Sequence, residues 1–384
     1  MRNPFITERA LGAADLVNRQ EELRRVKTSI EQGGKLFVIG PRRFGKTSIL
    51  RAARDELATE KIGILMLNVQ GYTSIEELVR GIIAGAATLS GNLTTGVKAV
   101  KKFFGRFNPS ITINPDGTVT ASLGLKPPEE KGGQAPLLID ALDRLEKLAE
   151  ASGKQIGLVL DEFQHLLKLG GDGIEGQLRA AVQMHQHLGY VFAGSQTTLI
   201  TDMVSNHARP FYRLGENLFV GPIPRPEFME FLRRGFSGLG IEVDPAALDR
   251  ILDLAEDVPY NVQGLARACW QELRDQSLPA LTPAIVQAVY DSLLVTMEPI
   301  YAPQWAILTA AQQRALLGTA RHGGQGLTGK AVLKSLDLTP GAMQSALASM
   351  EQQSILRREY KRDSSIWRFE DPLFKGWILG TVKG

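Results

Sequence analysis

Five short apolar runs punctuate the chain: KLFVI (35–39), KIGILMLNVQ (61–70), the start of IGLVLDEFQHL (156–166), YVFAGSQ (190–196) and NLFVGPI (217–223). None alternates cleanly between apolar and polar positions, and helical stretches separate them. A strand covered on both faces reads this way, so the pattern predicts an α/β fold with a parallel five-stranded sheet between helices.

Residues 88–135 interrupt this pattern. VKAVKKFFGRF places Val97, Val100, Phe104 and Phe107 at helical spacing, with Lys98, Lys101, Lys102 and Arg106 interleaved. The apolar stripe fits a helix packed on the core, while the basic face could meet nucleic acid or an acidic membrane. SITINPDGTVTASLGL then alternates by two around Asn-Pro-Asp-Gly, which predicts a hairpin, and KPPEEKGG reads as a polar loop.

Residues 225–298 lack good strands. RPEFMEFLRRGFSGLG, DPAALDRILDLAED, PYNVQGLARACWQEL and TPAIVQAVYDSLL read as four helices, three of them opened by Pro, Asp-Pro or Thr-Pro. From 299 to 384 the pattern is three helices and two strands, SILRREY and SSIWRFE, joined by KRD. That order predicts a winged helix. The expected organisation is therefore a sheet domain over 1–224, a helical lid over 225–298 and a winged helix over 299–384.

Composition narrows the function classes. The chain has 384 residues, 43% of them apolar, enough for two or three domains. Cys269 is the single cysteine, which excludes an internal disulfide and a four-cysteine zinc site. Of the five histidines, only His185 and His187 lie close together, and their spacing suits a solvated helix end better than a metal site. The N-terminus lacks the apolar core of a secretory signal, and no run reaches a membrane span, so a cytoplasmic protein without a transmembrane segment is expected. Net charge is +3, but residues 301–384 hold 11 Lys and Arg against 6 Asp and Glu, or +5, leaving −2 for the rest. A weakly basic C-terminal domain permits contact with nucleic acid.

The first apolar run leads into GPRRFGKTS, which fits G-x-x-x-x-G-K-[ST] between a strand and a helix. Glycines let backbone N–H groups turn inward around a phosphate, and the helix N-terminus adds its positive end. Gly40, Pro41, Arg42, Arg43, Phe44, Gly45, Lys46, Thr47 and Ser48 are thus the expected nucleotide cradle. Lys46 is expected to reach the β and γ phosphates, and Thr47 to ligate Mg²⁺. The third run ends in Asp161 and Glu162. Asp161 is expected to hold Mg²⁺ through water, and Glu162 to polarise the attacking water. An adjacent Glu suits P-loop ATPases that carry an extra strand, and 61–70 supplies one in sequence between loop helix and acidic strand. Ser195, at the end of the fourth run, could sense the γ-phosphate through the attacking water or simply make a strand-end turn.

These residues together resemble the archaeal-type ATPases, a P-loop family in or near the STAND branch of AAA+-like ATPases. LVNRQEEL, GPRRFGKTSIL, LVLDEFQHL, GSQTTLITDM, RPFYRLGENLFVGPI, DVPYNVQGL and WRFEDPLFKGWI carry the resemblance, in the family's order. It implies that Arg19 lies near the adenine side and that Pro259 packs on the base from the lid, with Asp257 where the motif prefers glycine. It also implies a role at the site's edge for Arg213, in cis or from a neighbouring subunit, beside the alternative of a surface pair with Glu216.

The expected activity is an ATPase using ATP and Mg²⁺ with low intrinsic turnover, Lys46, Glu162, Ser195 and Arg213 forming its catalytic set. Its nucleotide state would control binding to nucleic acid or a partner protein, with a homo-oligomer as a further option. The alternative is a nucleotide-stabilised scaffold that assembles through the winged helix. The helix over 339–353 holds no Lys or Arg, which argues against base reading. Arg357, Arg358, Lys361, Arg362 and Arg368 on or beside the wing are the expected phosphate contacts, or else a solvated basic face.

Overall fold

The computed structural model describes residues 3–6, 16–60, 62–89, 92–124, 135–171, 173–361 and 364–382. The segment expected as a polar loop, 126–133, and Arg362 lie outside these residues, as does the side chain of Lys361. The chain divides into two compact units: 10–41 with 45–221, and 1–9 with 42–44 and 222–384.

The first unit holds β1 (Lys35–Ile39), β2 (Gly63–Asn68), β3 (Pro109–Ile113), β4 (Val119–Leu123), β5 (Ile156–Asp161), β6 (Leu188–Gly194) and β7 (Glu216–Phe219). Five of these form a parallel sheet in the order β2-β5-β6-β1-β7. β5 and β6 are buried along their whole length, as strands covered on both faces must be. Phe37 stacks on Phe192 at 4.9 Å, and Phe163 and Phe211 close around them. The strand expected as the extra one, β2, is at the sheet's edge. The strand that separates β1 from β5 is β6, although it follows both in sequence. Chain order alone does not set sheet order when crossover helices intervene.

Register brings the strand ends level. Ile39 pairs with Gly194, Leu160 with Phe192, and Asn68 with Asp161. Gly40, Asp161 and Ser195 therefore follow from the carboxyl ends of neighbouring strands, where open α/β sheets present their sites.

The described part of 88–135 holds a helix and a hairpin. Helix Leu93–Phe103 leads into the antiparallel hairpin β3–β4, whose turn has Gly117 at φ +82°. Val100, Phe104 and Phe107 are buried in the core of the first unit, while Lys98, Lys101, Lys102 and Arg106 are exposed. Gly96 lets this helix approach its neighbour, since a Cβ there would lie 1.7 Å from the Ala87 carbonyl oxygen. His185, expected in solvent, is instead buried, bonded to Tyr190 Oη at 2.6 Å and Asp143 Oδ1 at 2.9 Å. It lies beyond the end of helix Ile174–Met184, where the chain turns inward toward β6.

The second unit is mainly helical. Arg225–Ser237, Pro245–Leu254, Pro259–Asp275 and Pro283–Ala306 occupy the expected positions. Asp244 and Thr282 cap the second and fourth through their side chains, and proline occupies the first turn of all four. β8 (Glu242–Val243) and β9 (Ala280–Leu281) add a two-residue parallel pair that the sequence reading omits. The fourth helix runs across the expected boundary at 298/299 and carries Pro299 and Pro303 inside it. Beyond it come helices Ala310–Arg321, Lys330–Leu336 and Pro340–Gln352, then the antiparallel β10 (Leu356–Lys361) and β11 (Ser364–Phe369), then helix Pro372–Thr381. No helix among the described residues is long and apolar enough to cross a membrane.

Candidate functional site

The loop after β1 has the backbone its sequence predicts. Gly40 must be glycine, because a Cβ there would lie 2.5 Å from the carbonyl oxygen of Val220, just past the neighbouring strand β7. Gly45 adopts φ +91° and starts helix Lys46–Thr59. Arg43 also lies in the left-handed region, at φ +68°. Left-handed residues placed among right-handed ones turn successive N–H groups to one side, making an anion-binding concavity.

Lys46 is buried, and its ammonium donates to the carbonyls of Gly40 at 2.7 Å and Pro41 at 2.9 Å. Those acceptors belong to the loop itself, so the ammonium stays at its mouth. Ser48 is buried beside it. Thr47 Oγ1 donates to Asp161 Oδ2 at 2.8 Å, joining the loop helix to the end of β5. Asp161 is only 3% exposed. Burial raises its carboxyl above the usual aspartate range, and neighbouring Glu162 pushes the same way, against the Thr47 hydroxyl and Lys46.

Such a pair of hard oxygens, one a desolvated carboxylate, fits a magnesium ion that takes its remaining ligands from phosphate and water. No cluster of three or more His, Cys, Asp or Glu suited to a metal occurs among the described residues. Asp161 and Thr47 are accordingly the two protein groups that would hold the ion.

Glu162 has φ +52°, and its N–H donates to Asp161 Oδ1 at 3.0 Å. Its Oε2 accepts from Ser195 Oγ at 2.7 Å and from Gln164 Nε2 at 2.5 Å. Ser195 thus touches the acid directly. Gln164 is a site residue that the sequence reading misses. It is 2% exposed, and its Oε1 is buried with no hydrogen-bond partner among the described residues. Gly194 makes room for it, since a Cβ there would lie 2.3 Å from that oxygen. The signal was a polar residue two positions past Glu162, between Phe163 and His165.

Arg19 is buried, donates to the Gly221 carbonyl at 2.6 Å and pairs with Glu22 at 2.7 Å. Arg213 is exposed at φ +54° and stacks over Tyr212. Glu216, its expected partner, pairs with Arg25 instead, at 3.1 Å. Arg42 is exposed. Pro259 is buried at the start of its helix. Asp257, two residues earlier, has φ +56°, the geometry for which glycine is the easiest residue. Aspartate tolerates that conformation, and Arg225 grips its carboxylate at 2.9 Å.

On the β10–β11 hairpin one expectation fails. Arg357 is 6% exposed, donates to the Phe369 carbonyl at 2.7 Å and covers the Phe44 ring at 5.3 Å. It is consumed inside the second unit and does not face solvent. Strand alternation puts Arg358 on the opposite face, exposed and stacked against Tyr360 and Trp367 at 5.2 and 5.5 Å. Arg368 is partly exposed and lies 3.5 Å from Glu359.

The sheet order and the loop define an α/β fold of the P-loop kind. Residues 16–264 match the family described as an ATPase domain predominantly from Archaea, and the chain belongs to that family. Among solved structures it is similar to the Walker-type ATPase paby2304 of Pyrococcus abyssi, at 18% identity and TM-score 0.64, over 98% of this chain and 99% of that one. It is also similar to the Aeropyrum pernix ORC2 protein in ADPNP-ADP complexes, at 13% identity and TM-score 0.55, covering 99% and 98%. The Aeropyrum pernix ORC1 protein in complex with DNA aligns at 12% identity and TM-score 0.50, covering 95% and 93%. No curated protein matches the chain.

Proposed function

We propose that this ATPase-family protein binds and hydrolyses ATP with Mg²⁺, and that its nucleotide state switches its hold on nucleic acid or a partner protein. The observation that carries this reading is the continuous chain from Thr47 through Asp161 and Glu162 to Ser195, set at the carboxyl edge of the sheet beside Lys46. Bound magnesium would screen the charge of the phosphates and of Asp161. Lys46 neutralises phosphate charge. Glu162 takes a proton from water, and Ser195 and Gln164 hold the acid's orientation. Arg213 adds a cation at the edge, in cis or from a second copy.

The 299–384 segment acts as a winged helix in this reading, with 1–224 as the ATPase domain and 225–298 as a lid. Arg358 and Arg368 contact phosphates rather than bases, since helix Pro340–Gln352 offers no Lys or Arg. The DNA-bound ORC1 protein of similar fold supports nucleic acid as the partner class. Steady-state phosphate release measured with and without duplex DNA tests the switch. Turnover that responds to DNA supports it. Tight nucleotide binding with no turnover under either condition points instead to a nucleotide-stabilised scaffold.

A further inference from the structure

Asp-Pro-Leu-Phe, at 371–374, opens the helix Pro372–Thr381. Asp371 caps helix Pro372–Thr381 by accepting the Leu373 N–H at Oδ1. The same oxygen accepts from Asn261 Nδ2 at 3.1 Å. Its other oxygen, Oδ2, accepts from Tyr301 Oη at 3.0 Å and pairs with Arg43 Nη1 at 3.0 Å. One carboxylate thus gathers four donors from four separate segments.

Arg43 belongs to the phosphate loop, and residues 42–44 are members of this second unit. Three anchors act on it. The guanidinium pairs with Asp371, lies 5.1 Å over the Tyr260 ring, and the Arg43 carbonyl accepts the Tyr260 N–H at 3.3 Å. The backbone they hold is at φ +68°, a conformation that is unfavourable for a residue with a Cβ. Unanchored, Arg43 would relax toward negative φ and turn its neighbouring N–H groups out of the concavity.

We propose that Asp371 is a positioning residue for nucleotide binding: through Arg43 it holds the phosphate loop's tip in its left-handed, anion-binding conformation. Asn261 and Tyr301 aim the carboxylate, so the register of the last helix bears on the loop. The inference rests on the nucleotide-binding reading above.

The test is a double-mutant cycle on the full chain, with MgATP and MgADP affinities measured by calorimetry and folding checked by thermal melting. Asp371→Asn keeps the cap's shape and an acceptor for Leu373 while removing the charge. Asp371→Asn and Arg43→Ala should each weaken both nucleotides about tenfold, within the usual 5–150-fold range of such couplings, and the double variant no further. Arg43→Gly should bind more tightly than Arg43→Ala, because glycine adopts φ +68° without an anchor. A purely structural Asp371 would lower the melting temperature and leave both affinities unchanged in the folded Asp371→Asn protein, which overturns the proposal. Additive losses, or Arg43→Gly binding no better than Arg43→Ala, overturn it as well. If the unmodified protein binds neither nucleotide, the reading on which it rests has failed first, and the inference with it.

Discussion

The hydroxyl of Ser195 donates to Oε2 of Glu162 at 2.7 Å, joining the residues just past two adjacent strands. The contact exists because β6 lies beside β5, between it and β1. A serine held this way fixes one carboxylate oxygen and leaves the other to receive a proton. Replacing Ser195 by Ala should lower phosphate release and leave nucleotide affinity alone. Losing a hydrogen bond to a charged group is worth about 1.5–3 kcal/mol, so the fall should be about tenfold or more. Single-turnover hydrolysis beside equilibrium titration separates the two effects.

Glu162→Gln keeps the size and an acceptor for Ser195 while removing the basicity. A general base contributes about 10²–10⁴-fold, so turnover should drop by at least about 10² while ATP remains bound. Normal hydrolysis by this variant would remove Glu162 from the role assigned to it.

The basic helix at 93–103 offers a contrast between stripe and face. Phe104 is fully buried in the core of the first unit, so Phe104→Ala should cost about 3–5 kcal/mol of stability. Lys101→Ala and Lys102→Ala, both at exposed positions, should stay within about 0.5 kcal/mol. Urea unfolding of the three variants checks the difference.

Cys269 is wholly buried, and burial pushes its thiol up to about 12. A thiol-specific reagent should label it only as fast as the native protein opens. The shift also has a sign. Between the ordinary value of 9.0 and about 12, the folded state binds the proton that the unfolded state has lost. The thiol's contribution to stability should therefore fall as pH rises through that window. Cys269→Ser melting curves at pH 7 and 10 should show a smaller decline than the unmodified protein.

Much of the site is legible in the sequence because its chemistry demands particular residues at fixed spacing. A loop that aims N–H groups at a phosphate needs glycine at 40 and 45, and the apolar run of β5 announces Asp161 and Glu162 by ending in them. The sheet's order is not legible in the same way. It depends on which crossover places β6 inside β5 and β1, and apolar runs alone do not record that. Gln164 escapes notice because a buried amide looks like any polar residue until its partner is known.

The hairpin is readable only in part. Arg357 and Arg358 are consecutive in a strand, so they must face opposite sides, and only one can be exposed if the other side packs. Both faces carry buried side chains, Ile366 on the Arg357 side and Leu356 and Phe369 on the Arg358 side, so apolar pattern alone does not tell which arginine is covered. Asp257 was readable from the other direction. It has φ +56°, the conformation for which the resemblance led one to expect glycine.

The central claim is that the loop over 40–48 grips a triphosphate, and calorimetric titration of MgATP into the unmodified protein and into Lys46→Ala tests it most directly. The account predicts saturable one-to-one binding by the former and none by the latter, with both proteins folded. Equal binding by both, or no binding by the unmodified protein, would contradict it.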